Sequence, residues 1–210
     1  MKENPFKALV SQQVDFIERR DEWRDALDQR LIQWLLRVGV MAVQVPNALE
    51  PHGVLDSWIS AIAPKAVVLS GGNDIGHCSK RDATETVLLN YAAEHNLPVL
   101  GICRGMQMMA VNAGASLQRV DGHAGSRHNL SCDPFHKGSL PLEVNSFHRW
   151  ALKNCPVGFE VMAHSEGTIE AFRHQTRSWE GWMWHPEREN TFSDVDLTRA
   201  KNLFFRTHRK

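Results

Sequence analysis

The sequence has a single tyrosine, no surplus of either charge and no long apolar run, and these shortages exclude several functions. Its 24 basic residues balance its 24 acidic ones. A chain without a net basic field is not expected to bind nucleic acid, and no acidic tail invites a basic partner. No stretch approaches the ~20 apolar residues of a membrane span, and the opening MKENPFKALV has no long apolar segment behind its charges. Cys78, Cys103, Cys132 and Cys155 are scattered without CxxC spacing, so no disulfide framework is expected. These absences predict a soluble, cytoplasmic protein with neither a membrane nor a nucleic-acid partner. Repeats, low-complexity tracts and Pro/Gly/Ser linkers are also missing, so residues 1–210 read as one domain.

What is present alternates. KALVSQQV reads as a strand, DALDQRLIQWLLRVG as an amphipathic helix ended by Gly39, and VMAVQVP as a second strand. DSWISAIA is helix-like, KAVVLS is a strand running into the loop GGND, TETVLLNYAAEHN is a helix, and PVLGI is a strand. Strands joined by helices of this length indicate βαβ units and a parallel sheet. After Gly114 the rhythm changes to short strand-like runs, ASLQRV, LEVNSF, FEVMAHS, TIEAFRH and SWEGWMW, with antiparallel pairs among them. DVDLTRAKNLFFRTHRK reads as a closing helix.

In VLGICRGMQ a cysteine stands between Gly101 and Gly105, after an apolar run and before a helical one. Glycines permit the sharp strand-to-helix bend of a nucleophile elbow, which projects Cys103 over the first turn of a helix. Unpaired N–H groups and the positive end of the helix dipole there favour a thiolate. A thiol nucleophile also needs a base and a group to orient it. His185 in WMWHPERE stands at a strand end with Glu187 two residues on, where an extended backbone points both side chains to the same side. An oxyanion needs waiting donors. The glycines of SGGND and the N–H of Arg104 can supply one each. GGND, Cys103 and HPE all follow strands, and in open α/β sheets the functional crevice lies at the carboxyl ends of the strands.

GICRGMQ, preceded by SGGND and followed far downstream by HPE, resembles the class I glutamine amidotransferases and their γ-glutamyl hydrolase relatives over nearly the whole chain. The resemblance implies an α/β, flavodoxin-like three-layer sandwich with a mostly parallel central sheet, additional short antiparallel strands and no cofactor. It implies that Cys103 is the nucleophile, His185 the general base and acid, and Glu187 its orienter. Gly72 and Arg104 would supply oxyanion N–H groups, and Gly71 and Gln107 would contact the γ-glutamyl head. VNSFHRW looks like the family's VNSxH segment, so Ser146, Phe147 and His148 would line the glutamyl pocket.

Two activities fit that triad: a glutaminase passing ammonia to a separate synthetase, and a hydrolase acting alone on a γ-glutamyl amide. No synthetase domain is fused within the sequence, which favours the hydrolase and leaves a separate synthetase partner, or a homodimer, open. ERRDEWRDALDQRLIQWL, GGND, VNSFH, EGTIEAF and EGWMWHPERE together resemble the γ-glutamyl-CDP-amidate hydrolases of surface-polysaccharide phosphoramidate pathways, which release glutamate and cytidine diphosphoramidate. The γ-glutamyl-γ-aminobutyrate hydrolases share most of these motifs. A silent binder of γ-glutamyl metabolites would have no need of an intact Cys103, His185 and Glu187.

A nucleotide leaving group calls for cations, and Arg20 and Arg24, before the first helix-like segment, are candidates for its diphosphate. Arg81 is a weaker one. Seven tryptophans suggest a surface for cytosine, although core packing is expected of Trp179, Trp182 and Trp184. GHAGSRHNLSCDPFH gathers His123, His128, Cys132 and His136, but the spacing matches no zinc pattern, so a substrate loop and no metal is expected.

Overall fold

The computed structural model describes residues 5–136 and 138–205. The chain runs β1 (Lys7–Val10), β2 (Gln13–Ile17), β3 (Glu22–Ala26), α1 (Gln29–Val38), β4 (Met41–Gln44), α2 (Leu55–Ile62), β5 (Ala66–Leu69), α3 (Ser79–Glu94), β6 (Val99–Ile102) and α4 (Arg104–Asn112). It continues through β7 (Leu117–Arg119), β8 (Ala124–Asn129), β9 (Ser131–Cys132), β10 (Glu143–Phe147), β11 (Trp150–Leu152), β12 (Phe159–Ser165), β13 (Thr168–His174), β14 (Trp179–Trp182) and α5 (Asp194–Phe205).

Eight strands form the central sheet in the order β4-β1-β5-β6-β14-β13-β12-β9. The first five are parallel, and β13, β12 and β9 extend the sheet with antiparallel pairings. Every residue of β5 and β6 is buried, as expected of strands covered on both faces. Alternation divides them between two cores. Val68, Leu100 and Ile102 face α1 and α5, while Val67, Leu69 and Val99 face α2, α3 and α4. The result is a three-layer α/β sandwich with a mixed, mostly parallel sheet, as the resemblance implied.

Local signals explain the helix ends. The Asp28 carboxylate accepts from the Arg30 N–H at 2.9 Å, Leu31, Trp34, Leu35 and Val38 form the buried stripe of α1, and Gly39 closes it at φ 97°. Trp182 stacks on Trp184 at 5.4 Å and meets the edge of Trp34 at 6.2 Å. All three are buried, and Trp179 is too, so these rings are core and none offers a face to a base.

Four expectations need correction. KALVSQQV is not one strand, because the chain turns after Val10 and starts the separate hairpin β2–β3. The first helix starts at Gln29 rather than Asp25, since Asp25 and Ala26 still pair with Val14 and Gln13. The segment around His123–His136 is largely strand: β8 pairs with β10, and β9 joins the sheet edge. Strand β11, paired with β7, was not foreseen. The closing helix is described to Phe205, and the final RTHRK of that expectation lies outside the described residues. No helix among the described residues is long and apolar enough to cross a membrane.

Candidate active site

Cys103 occupies the bend between β6 and α4 at φ 50° and ψ −106°. A side-chain-bearing residue held there costs about 1–3 kcal/mol, so the surroundings must impose it. They do so through the two flanking glycines. A Cβ at Gly105 would lie 2.1 Å from the Leu69 carbonyl oxygen, and one at Gly101 would lie 2.5 Å from Met109 Sδ. Only with both missing can α4 pack this closely on β5 and β6. The Cys103 N–H donates to the Trp182 carbonyl at 2.7 Å, anchoring the bend to the neighbouring strand.

That neighbouring strand is β14, and three residues beyond its end comes His185. Its Nδ1 lies 2.6 Å from Glu187 Oε1, and both residues are buried. Burial, the largest single influence, opposes charge on the imidazole. Coulombic and hydrogen-bond interactions with Cys103, and then with Glu187, outweigh it and push His185 up to about 9. The site therefore favours the charged form of the ring, which stands between Cys103 and the Glu187 carboxylate.

Asn145, which the sequence did not single out, holds the His185 backbone at both ends. Its Oδ1 accepts from the His185 N–H at 3.0 Å, and its Nδ2 donates to the His185 carbonyl at 2.8 Å. Gly71 belongs to the same constraint. Its Cα faces the imidazole so closely that a Cβ would lie 2.5 Å from Cε1. The absence of a side chain at Gly71 is thus what lets the base sit against the loop.

A cavity of about 370 Å³ opens over Cys103 and includes Gly72, Arg104, Gln107, Phe147 and His148 in its lining. Gly72 has φ 117°, and a Cβ there would run into Gln13 and Arg81, so the loop backbone takes a path only glycine permits. Arg104 starts α4, where N–H groups have no partner in the preceding turn. Backbone donors from two segments thus border the space above the thiol. The amide of Gln107 donates to the Trp150 carbonyl at 2.9 Å.

The Arg104 side chain turns away from the cavity. It donates to the Asn73 carbonyl at 3.0 Å and pairs with Glu85 and Asp82. Arg81, read from sequence as an anion binder, is wholly buried. It donates to the Ser70 and Gly71 carbonyls, each at 2.8 Å, and to Glu85 at 3.0 Å. Burial pushes Arg81 down to about 10 and Arg104 to about 9, so both remain charged at neutral pH. Together they fix the glycine loop from beneath.

Other expected contacts fall elsewhere. Ser146 is buried and donates to the His123 carbonyl, away from the cavity. Phe147 does line the cavity, with its ring edge-on to His185 at 5.7 Å and the Arg188 guanidinium over its other side at 4.8 Å. Arg20 and Arg24 come before α1 as expected, Arg20 in the hairpin turn and Arg24 on β3. They lie exposed on the β2–β3 hairpin, and Arg24 pairs with Glu22 at 2.8 Å. Neither lines the cavity. The hairpin base is nonetheless tied to the glycine loop, because Asn73 exchanges hydrogen bonds of 2.8 and 2.9 Å with the backbone of Val14. The signal for this hairpin was legible: QVDFI and EWRDA flank an Arg-Asp turn.

The histidine-rich segment divides. His136 approaches Glu160 at 3.9 Å, and Cys132 packs against the core. His123 and His128 instead meet His148 and Glu170, and all four are buried. Burial and the neighbouring imidazoles of His148 and His128 push His123 below its usual value. A larger cleft of about 790 Å³ between the β13–β14 connection and α5 contains none of the residues around Cys103.

Comparison with known proteins agrees with this fold. A family model described as glutamine amidotransferase class-I matches residues 22–203. A γ-glutamyl-CDP-amidate hydrolase of Campylobacter jejuni is 35% identical over 142 residues, which are 64% of this chain and 68% of that protein. A glutamine-hydrolysing GMP synthase subunit of Thermococcus kodakarensis is 32% identical over 178 residues, 81% of this chain and 88% of the relative. A candidate GMP synthase subunit of Thermoplasma acidophilum superposes with a TM-score of 0.69 at 26% identity, covering 94% of this chain and 92% of the other.

Proposed function

The chain belongs to the class I glutamine amidotransferase family, whose chemistry is hydrolysis of glutamine or a γ-glutamyl amide, and from that premise we propose that it cleaves γ-glutamyl-CDP-amidate through a thioester on Cys103. The observation that carries the reaction is the strained Cys103 beside an imidazolium that Glu187 holds at 2.6 Å. The thiolate attacks the γ-carbonyl carbon, and the carbonyl electrons move to an oxygen held by the N–H groups of Gly72 and Arg104. Collapse breaks the C–N bond while His185 gives its proton to the departing nitrogen. Water then loses a proton to His185, attacks the thioester and releases glutamate as sulfur leaves.

Support for the nucleotide comes from the 35% identical relative and from the hairpin. Arg19, Arg20 and Arg24 are exposed there, and exposed Trp23 packs tilted against Phe16 at 4.6 Å, all on a hairpin anchored beside Gly72. Guanidinium groups bind diphosphate oxygens in a bidentate manner, and an exposed indole offers a face to a base.

A second reading is a glutaminase that supplies ammonia to a separate synthetase. It is favoured by the longer matches to the glutamine-hydrolysing subunits of GMP synthases. The test is glutamate release by the purified protein alone, from γ-glutamyl-CDP-amidate, glutamine and γ-glutamyl-γ-aminobutyrate. The nucleotide substrate should have much the highest kcat/KM, and Arg24→Ala should lower it for that substrate only. If glutamine is preferred, and hydrolysed only with a synthetase present, the second reading replaces the first. Trapping with a γ-glutamyl electrophile should label Cys103; a label on Cys78, Cys132 or Cys155 defeats both.

A further inference from the structure

Four side chains that the reaction leaves unused converge beside the cavity. His123 immediately precedes β8, His128 is the last residue but one of β8, His148 comes from the turn between β10 and β11, and Glu170 from β13. Their ligand-capable atoms all lie within 4.8 Å of one another. His148 Nε2, His128 Nδ1 and His123 Nδ1 stand 3.4, 3.7 and 3.9 Å from Glu170 Oε1. Those three nitrogens and Glu170 Oε2 are buried without a hydrogen-bond partner. Four such atoms at one point are rare in a folded protein, where buried polar groups are almost always paired.

We propose that His123, His128, His148 and Glu170 bind one zinc-class divalent ion in a closed tetrahedral site. Ligand atoms about 2.0–2.1 Å from zinc stand roughly 3.3 Å apart, so the three separations from Glu170 Oε1 need to close by up to about 0.6 Å and the widest, within 4.8 Å, by up to about 1.5 Å shared between two side chains. Two of the three far nitrogens are already engaged as in metal-bound histidines, which donate their outer N–H to an oxygen. His148 Nδ1 lies 3.1 Å from the Trp150 carbonyl, an acceptor only, so the proton is on Nδ1 and the Nε2 lone pair faces the cluster. His128 Nε2 lies 3.0 Å from Ser126 Oγ, which can accept its N–H in the same way. Three imidazoles and one carboxylate suit zinc and its neighbours, whereas calcium and magnesium favour more numerous oxygen ligands.

Four protein ligands leave no open position, so the ion is structural. It would clamp the β8–β10 ladder to β13 of the main sheet. The Trp150 carbonyl that accepts from His148 also accepts from Gln107, which links the clamp to the cavity wall.

The test is metal content and does not depend on which substrate is cleaved. Protein made without a histidine tag in zinc-supplemented medium, then dialysed, should retain close to one zinc per chain by mass spectrometry. Cys103→Ser should retain it too, which separates this site from the catalytic thiol. Glu170→Gln and His128→Gln should each reduce zinc to trace levels. Zinc should raise the Tm of chelator-stripped parent protein but not that of either variant, and a native circular dichroism spectrum shows that the variants fold. Cobalt added to stripped parent should give the intense visible bands of a tetrahedral ion without a thiolate charge-transfer band. Trace zinc in the parent together with no cobalt spectrum overturns the proposal. Retention of zinc by both variants, or its loss from Cys103→Ser, does so as well.

Discussion

Adding one methyl group at Gly71 tests whether the active site is set by close packing around His185. The new Cβ would lie 2.5 Å from Cε1 of the imidazole and 3.3 Å from Nε2. Carbon atoms in contact normally stand about 3.5–4.0 Å apart, so the ring or the loop must retreat by roughly 1 Å. Neither yields easily. Asn145 holds the His185 backbone on both sides, Glu187 fixes Nδ1, and Arg81 grips the Gly71 carbonyl. A misplacement of that size costs about 10²-fold in rate, and overpacking a buried site costs about 1–3 kcal/mol of stability. Gly71→Ala should therefore lower kcat for glutamate release by about 10²-fold with a smaller effect on KM. Alkylation of Cys103 by iodoacetamide should slow in parallel, because the displaced imidazolium stabilises the thiolate less. A variant with the parent's kcat and alkylation rate would show that the contact is soft and refute the reasoning.

Replacing His185 by Ala should cost about 10²–10⁴-fold in kcat, and Glu187→Gln should cost less, since an amide oxygen still accepts the imidazole N–H; equal losses would deny Glu187 a purely orienting role. Because His185 is raised to about 9 from an unperturbed value near 6.5, its protonation supports the fold fully below about pH 6.5, and that support is lost as pH rises through about 9. A pH–rate profile should likewise show kcat/KM falling as pH rises through about 9, and an undiminished rate well above that value would remove the imidazolium from acylation. Arg81→Met leaves the Ser70 and Gly71 carbonyls without their donor and Glu85 short of one cation, so thermal unfolding should register a loss of about 3–5 kcal/mol; an unchanged Tm would show that the buried charges are dispensable.

Short-range features were legible in the sequence, and long-range ones were not. The elbow could be read because both glycines that permit it lie within two residues of Cys103. The pairing of His185 with Glu187 is equally local. By contrast, Asn145 reaches a backbone 40 residues away, and nothing in VNSFH reveals which carbonyl its amide will meet. Arg81 reads from the sequence as an anion binder because no pattern announces that Glu85 and two loop carbonyls will surround it. His148 was assigned to the glutamyl pocket from its motif. The structure keeps it in the cavity lining but turns its Nε2 toward Glu170, which only the β12–β13–β14 meander brings within reach.

The hairpin leaves β1 and returns toward α1 through the paired residues Gln13 and Ala26, so its two ends are neighbours. An excursion whose ends meet can be lengthened, shortened or exchanged without moving the elements on either side. The nucleophile, its base and the glycine loop belong to the sheet, while the exposed arginines and Trp23 belong to this appendage. Under the proposed function, chemistry and leaving-group preference would sit on different parts of the chain. A hairpin exchanged beyond Val14, whose bonds to Asn73 hold the glycine loop, would then change γ-glutamyl amide preference while keeping the thiol and its imidazole in place.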